Sequence, residues 1–154
     1  MLCDCASSFQ VRLARPSDYQ AWKRVLTVAR FPTYMGEEVM KRNARNGGAM
    51  FYDVDRQPVG VSLINPRLSI GLVLAVVPAH HNHGMATAIL EYLMPNWARV
   101  LDAYVEWFEQ RGYSRLGTPK KGQKHTTHVM VRSALLGLAG RLAEVWESKS
   151  IVSK

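Results

Sequence analysis

Three short apolar runs, parted by little more than the residues of a tight turn, dominate the middle of this chain. Residues 49–54, 58–64 and 69–77 are separated only by Asp55-Arg56-Gln57 and by a stretch opening with Asn65-Pro66-Arg67. Runs of this length bounded by turn formers are strand signals, and connections this short join antiparallel neighbours. A three-strand meander is therefore expected, its first two strands a hairpin and its third apolar enough for the sheet centre. The third run contains the longest apolar stretch, residues 70–79, interrupted only by Gly71 and Pro78. That is far below the roughly 18 residues of a membrane-spanning helix, so it reads as a buried strand.

Before the meander, residues 9–13 alternate like a short strand and stop at Ala14-Arg15-Pro16-Ser17-Asp18. Ser17 or Asp18 then caps a helix whose apolar positions Trp22, Val25 and Leu26 recur at helical spacing, ended by Phe31-Pro32. A second helix is predicted from about Gly36 or Glu37 to Asn43, with Glu37 and Glu38 at its dipole-favoured start and Asn46-Gly47-Gly48 as its stop. After the meander, residues 78–83 form a polar loop and Gly84 opens an apolar helix that Pro95-Asn96 breaks. Residues 97–111 are predicted as one further helix closed by Gly112. Residues 113–118 and 125–131 are expected strands around a basic, mobile loop at 119–124. A last helix is expected over 135–146.

At 154 residues, there is length for one domain, divided as a flexible N-terminus (1–8), the domain proper (9–147) and a tail (148–154). The apolar share of 47% and charged share of 21% suit a globular chain and not a disordered one. The start, Met1-Leu2-Cys3-Asp4-Cys5, shows no basic region followed by an apolar core, so a cytoplasmic protein without a membrane anchor is the expectation. Cys3 and Cys5 read as free thiols on a loose terminal segment. The net charge of +8 favours anionic partners: nucleic acid, phosphorylated cofactors or acidic proteins. It lies in two clusters, Lys41-Arg42-Arg45 and Arg115 with Lys120-Lys121-Lys124.

The chemistry concentrates between Leu72 and Leu90, read as strand, loop and helix. A helix N-terminus presents unpaired amides and partial positive charge, which hold phosphate where the backbone is free to approach. Gly84 and Ala86 are small enough to permit that approach, and His81 or His83 can add side-chain hydrogen bonds. His80, His81 and His83 also raise a metal site, but no acidic or cysteine neighbour completes a ligand set.

The segment Val77-Pro78-Ala79-His80-His81-Asn82-His83-Gly84-Met85-Ala86 resembles the pyrophosphate loop of the GNAT acyl-CoA N-acyltransferases, Gln/Arg-x-x-Gly-x-Gly/Ala. Val11-Arg12-Leu13-Ala14-Arg15-Pro16-Ser17-Asp18 is similar to that family's first strand and helix start, and the element order over residues 9–93 agrees as well. The resemblance implies an α/β (α+β) fold: a mixed, mostly antiparallel sheet flanked by helices, here with an added C-terminal helix. It implies acetyl-CoA as acyl donor, held by Ala75 and Val77 along the strand and by His81, Asn82, His83, Gly84, Met85 and Ala86 at the loop.

The sequence departs from the family in three respects. His81 replaces the leading Gln or Arg of the loop. Phe108 stands where Trp107-Phe108-Glu109-Gln110-Arg111-Gly112-Tyr113 aligns with a family tyrosine that protonates the leaving thiolate. Gly84 and Gly112 lie close together for a helix, a strand and a second helix, so either the fifth strand is much reduced or residues 113–118 supply it.

Acyl transfer to an amine requires thioester placement, oxyanion stabilisation and a proton acceptor for the ammonium. The strand 72–77 carries no acid. The candidates for proton transfer are Glu37, with Glu38 beside it, Asp53, and His80 or His81, while Tyr104, one helical turn before Phe108, is the candidate hydroxyl, with Tyr113 close by. His125 and His128 are expected to be exposed in the basic C-terminal region. Three functions compete. They are an acyl-CoA N-acyltransferase acting on an amine, a catalytically inactive module of the same fold, and a nucleic-acid-binding domain using residues 120–124 and the histidine loop.

Overall fold

Asp55 and Arg56 show how literally the turns between the apolar runs were built. Both take positive φ, 50° and 64°. Two successive left-handed residues make the tight turn whose twist matches a hairpin. It joins β2 (Ala49–Val54) to β3 (Gln57–Asn65), so Gln57 is already strand. At the other end of β3, Asn65 Oδ1 accepts from the amides of Arg67 and Leu68 and folds the chain into β4 (Ile70–Val76).

The computed structural model describes residues 9–32, 36–81, 84–122 and 124–135. The chain forms two compact units that divide after Pro95. In the first, β1 (Gln10–Leu13), β2, β3 and β4 pair as consecutive antiparallel neighbours. One face of this sheet carries α1 (Tyr19–Val28) and α2 (Glu37–Arg45). Trp22, Val25, Leu26, Met40 and Ala44 pack there on Phe51, Val61, Leu63, Val73 and Ala75. The second apolar cluster joins Tyr52, Val59 and Val76 to Met85 and Ile89 of α3 (Met85–Leu93). Each buried side chain of this size contributes about 1.5–3 kcal/mol, so the two clusters fix the helices to β4 and its neighbours. The register slips between Leu63 and Ile64, leaving Leu72 as an extra residue on β4.

The second unit corrects the sequence reading. Residues 97–111 are not one helix. They form β5 (Trp97–Leu101), a 3-10 turn (Asp102–Tyr104) and the five-residue α4 (Val105–Glu109). The fifth strand is thus reduced but present, and it precedes Gly112. The basic stretch at 119–124 is not simply a loop either. β6 (Tyr113–Lys121) carries Lys120 and Lys121 into ladder positions against β7 (Thr126–Arg132). β7 pairs antiparallel with both β5 and β6. α4 is held by edge-to-face contacts, Trp107–Phe108 at 5.0 Å and Phe108–Tyr113 at 5.5 Å between ring centroids. The expected helix over 135–146 lies outside the described residues, apart from a 3-10 turn at Ser133–Leu135.

Candidate functional site

From Arg56 to Leu90 the chain contains no aspartate or glutamate, so β3, β4, the loop and the start of α3 offer nothing that repels an anion. β4 ends at Val76, and Val77 keeps the chain extended by donating to the Val59 carbonyl at 2.8 Å. A 3-10 turn comes next (Pro78–His80), with the His80 and His81 amides bonded to the carbonyls of Val77 and Pro78. The His81 ring folds back, its Nε2 donating to the Val76 carbonyl at 2.7 Å. That bond fixes one tautomer and ties the loop to the strand end.

Gly84 is the residue that precedes α3, at φ 72° in the left-handed region. A β-branched side chain is strained there, which accounts for the glycine. The first helical bond runs from the Ala88 amide to the Gly84 carbonyl at 3.0 Å. The amides of Met85 and Ala86 therefore have no acceptor within the helix, and no carboxylate occupies its first turn. Met85 is buried against Tyr52 and Ile89, and this anchors the helix start. These features leave the first amides of α3 without helical acceptors and without an acidic side chain in the first turn.

Most of the remaining sequence-predicted residues are among those described. Ala75 is buried in the α1–α2 cluster and Val77 packs at the margins of both clusters. Asn82 and His83 lie outside the described residues, as do Cys3 and Cys5. His80 is half-buried in the 3-10 turn. Glu37 opens α2 and binds Lys41 Nζ at 2.9 Å, which holds that ammonium above its ordinary range. No hydrogen bond or ion pair joins Glu37 to His80 among the described residues. Asp53 is engaged by Arg12 Nε at 2.7 Å beside the edge strand β1. Tyr104 is about half exposed at the end of the 3-10 turn in the second unit. Phe108, between Trp107 and Tyr113, is part of the packing.

One expectation fails outright: His128 is buried, not exposed, with its ring bonded to Asp102. The signal was the alternation of His128 with Met130 on β7, but the partner lies 26 residues away in sequence. Among the described residues, no group of three His, Cys, Asp or Glu is placed to hold a metal ion, and no helix is long and apolar enough to cross a membrane.

No protein-family model matches the sequence, and no curated protein matches it. The likeness to known proteins is in the backbone. An acetyltransferase of the GNAT family from Bacillus cereus superposes with a TM-score of 0.61, covering 80% of this chain and 96% of its own, at 13% identity. The fold is that of the GNAT acetyltransferases. The loading GNATL domain of CurA from Lyngbya majuscula shares the GNAT backbone at a TM-score of 0.63 and 11% identity, over 83% of this chain and 99% of that domain. Rv2747 from Mycobacterium tuberculosis, solved in complex with CoA and NLQ, gives 0.57 and 18%, over 79% and 98%. The close spacing of Gly84 and Gly112 still holds a helix, a strand and a second helix. α3 has nine residues, β5 five and α4 five.

Proposed function

We propose that this protein transfers an acyl group, acetyl in the first instance, from coenzyme A to an amine. The observation that carries the proposal is the joint between β4 and α3, an acid-free cradle of backbone amides set by a left-handed glycine. Solved neighbours of the same fold include acetyltransferases, and some were solved with CoA. The residues present fit such a ligand because Gly84 and Ala86 are small and the amides of Met85 and Ala86 have no acceptor within the helix.

In this reading the amides of Gly84, Met85 and Ala86 hold the pyrophosphate, with His81, Asn82 and His83 completing the loop. Ala75 and Val77 flank the thioester arm along β4. When bound, the coenzyme A thioester supplies an activated carbonyl. The chain must orient the amine, keep water away and take a proton from the ammonium. His80, beside the end of β4, and Glu37, at the start of α2, are the groups for that proton. Phe108 has no proton to give a leaving thiolate, and Tyr104 is the tyrosine nearest to it in sequence.

The test is thermal unfolding with coenzyme A and acetyl-CoA at about millimolar concentration, where a site with a dissociation constant a hundredfold lower gains about 2.7 kcal/mol of stability. Gly84→Val, which strains the left-handed backbone and adds bulk where the phosphate must approach, should lose the stabilisation. Absence of any shift in the unsubstituted protein would refute the proposal.

A second reading, a non-catalytic module that binds coenzyme A, is favoured by one observation. Phe108 is packed between two aromatic rings where the family has a tyrosine. Stabilisation by coenzyme A without turnover on any amine in a broad panel, including after Phe108→Tyr, would select it.

A further inference from the structure

β6 and β7 pair regularly from Tyr113↔Arg132 to Leu116↔Val129 and resume at Lys120↔Thr127 and Lys121↔Thr126. Between the two stretches, three residues of β6 oppose His128 alone, and Gly117 turns the bulge at φ 70°. Beyond the bulge the ribbon continues to a turn closed by the Gly122 amide on the His125 carbonyl at 2.9 Å. Residues 117–122, 124 and 125 are all exposed.

Consecutive strand residues point to opposite faces, so Lys120 and Lys121 place a cation on each face while Lys124 sits at the turn. None of the three takes part in an ion pair among the described residues, whereas Arg115, nearer the base, is bound to Glu109 at 3.1 Å. From Gln110 to Ala143 the chain has no acidic residue at all. Lysines and a proline on an edge strand discourage sheet-to-sheet pairing, but that purpose needs no cation at the turn.

We propose that this ribbon docks on duplex DNA through its phosphates. A two-stranded ribbon fits a major groove about 12 Å wide, where cations on both faces meet the phosphates of both walls. The A-form major groove of duplex RNA is too narrow to admit it. No Phe, Tyr or Trp occurs between Tyr113 and Trp146, and with His128 buried the single exposed ring of His125 at the turn is no platform for the successive bases of a single strand. The lysines act as point charges on the backbone, and the binding is therefore sequence-independent.

The experiment is fluorescence anisotropy of a short labelled duplex with the full chain, titrated over a range of salt. Affinity should fall with salt at a logarithmic slope of about 0.9 per phosphate neutralised. Replacing Lys120, Lys121 and Lys124 together by Glu should weaken binding at least about tenfold and flatten the slope by about 2–3. The same triple replacement by Gln should act in the same direction, and unfolding midpoints near that of the unsubstituted chain exclude misfolding as the cause. A control of equal net charge, with Lys23, Arg24 and Arg67 changed to Glu in the first unit, should stay within about twofold. An equal loss in the control, equal competition by single-stranded DNA, duplex RNA or polyglutamate, or no duplex binding would overturn the proposal.

Discussion

Nε2 of His128 lies 2.7 Å from Oδ1 of Asp102, so a histidine 7% exposed on β7 is bonded to a carboxylate whose side chain is 72% exposed at the end of β5. The ring nitrogen donates and the carboxylate accepts. The bond ties the 3-10 turn before α4 to β7, the strand between β5 and β6.

Removing the acceptor with Asp102→Ala leaves a ring N–H of a buried histidine without its partner. We expect a loss of about 1–2 kcal/mol in urea unfolding. Asp102→Asn keeps an oxygen in the same place and should lose less than half as much. Equal losses would mean that the turn is held by packing and not by this bond.

Tyr52 and Ser62 are both fully buried, and their hydroxyls meet at 2.8 Å. Burial, opposed in part by the Ser62 bond, pushes the Tyr52 hydroxyl up to about 12. The folded chain therefore holds this proton more tightly than the unfolded one. The stability it contributes is complete below pH 10 and is lost as pH rises towards 12. The loss is on the order of 3 kcal/mol. Tyr113, also raised by burial, acts in the same direction. Urea unfolding at pH 8 and pH 11 should show the decline, and Tyr52→Phe should make it shallower. A Tyr52→Phe profile as steep as that of the unsubstituted chain would contradict the assignment.

Arg56 occupies the second left-handed position of the β2–β3 turn at φ 64°. An L side chain there costs about 1 kcal/mol that glycine does not. Arg56→Gly should therefore stabilise the protein by roughly 0.5–1 kcal/mol, although glycine is more costly to order in most places. A lower unfolding midpoint would show that the arginine side chain does something the turn geometry does not explain.

Gly48 follows α2 at the point where the chain enters β2. Its amide donates to Asn43 and its carbonyl accepts from Ile64, both at 2.8 Å. A Cβ at this position would collide with the Ile64 carbonyl oxygen. Gly48→Ala should cost about 1–3 kcal/mol through the backbone shift it forces. At neighbouring Gly47, φ is 77° and the space is open, so Gly47→Asn should cost much less. Comparable unfolding midpoints for the two variants would count against this account.

The elements among the described residues from 9 to 93 were legible because their cues are local. Glu37 and Glu38 mark a helix start, Asn46-Gly47-Gly48 a stop, and Asp55-Arg56 a hairpin, each within a few positions of the element it delimits. Residues 97–111 were not, because Val100, Leu101, Tyr104, Val105 and Phe108 satisfy a helical spacing as well as a strand followed by a short helix does. The five residues of β5 alternate only over Ala98, Arg99 and Val100 before Leu101 is buried as well, too short a run to set a strand apart from a helix. The basic stretch looked like a free loop because nothing near Lys120 announces its pairing with Thr127 across a bulge. At the candidate site, Gly84 and the absence of acids were visible in the residues. The turn of the His81 ring onto the end of β4 was not, since it depends on the 3-10 path between them.

The brevity of β5 and α4 sets the tolerance of this segment to insertions and deletions. Deleting one residue from β5 would exchange its two faces, bringing Arg99 to the positions now filled by Ala98 and Val100. Adding one residue within α4 would rotate the remainder of the helix by about 100°, carrying Phe108 away from Tyr113. Longer helices and strands absorb such changes by fraying at an end, whereas here each end is already a junction. Length variants of this stretch should therefore be far rarer than substitutions in any library selected for folding.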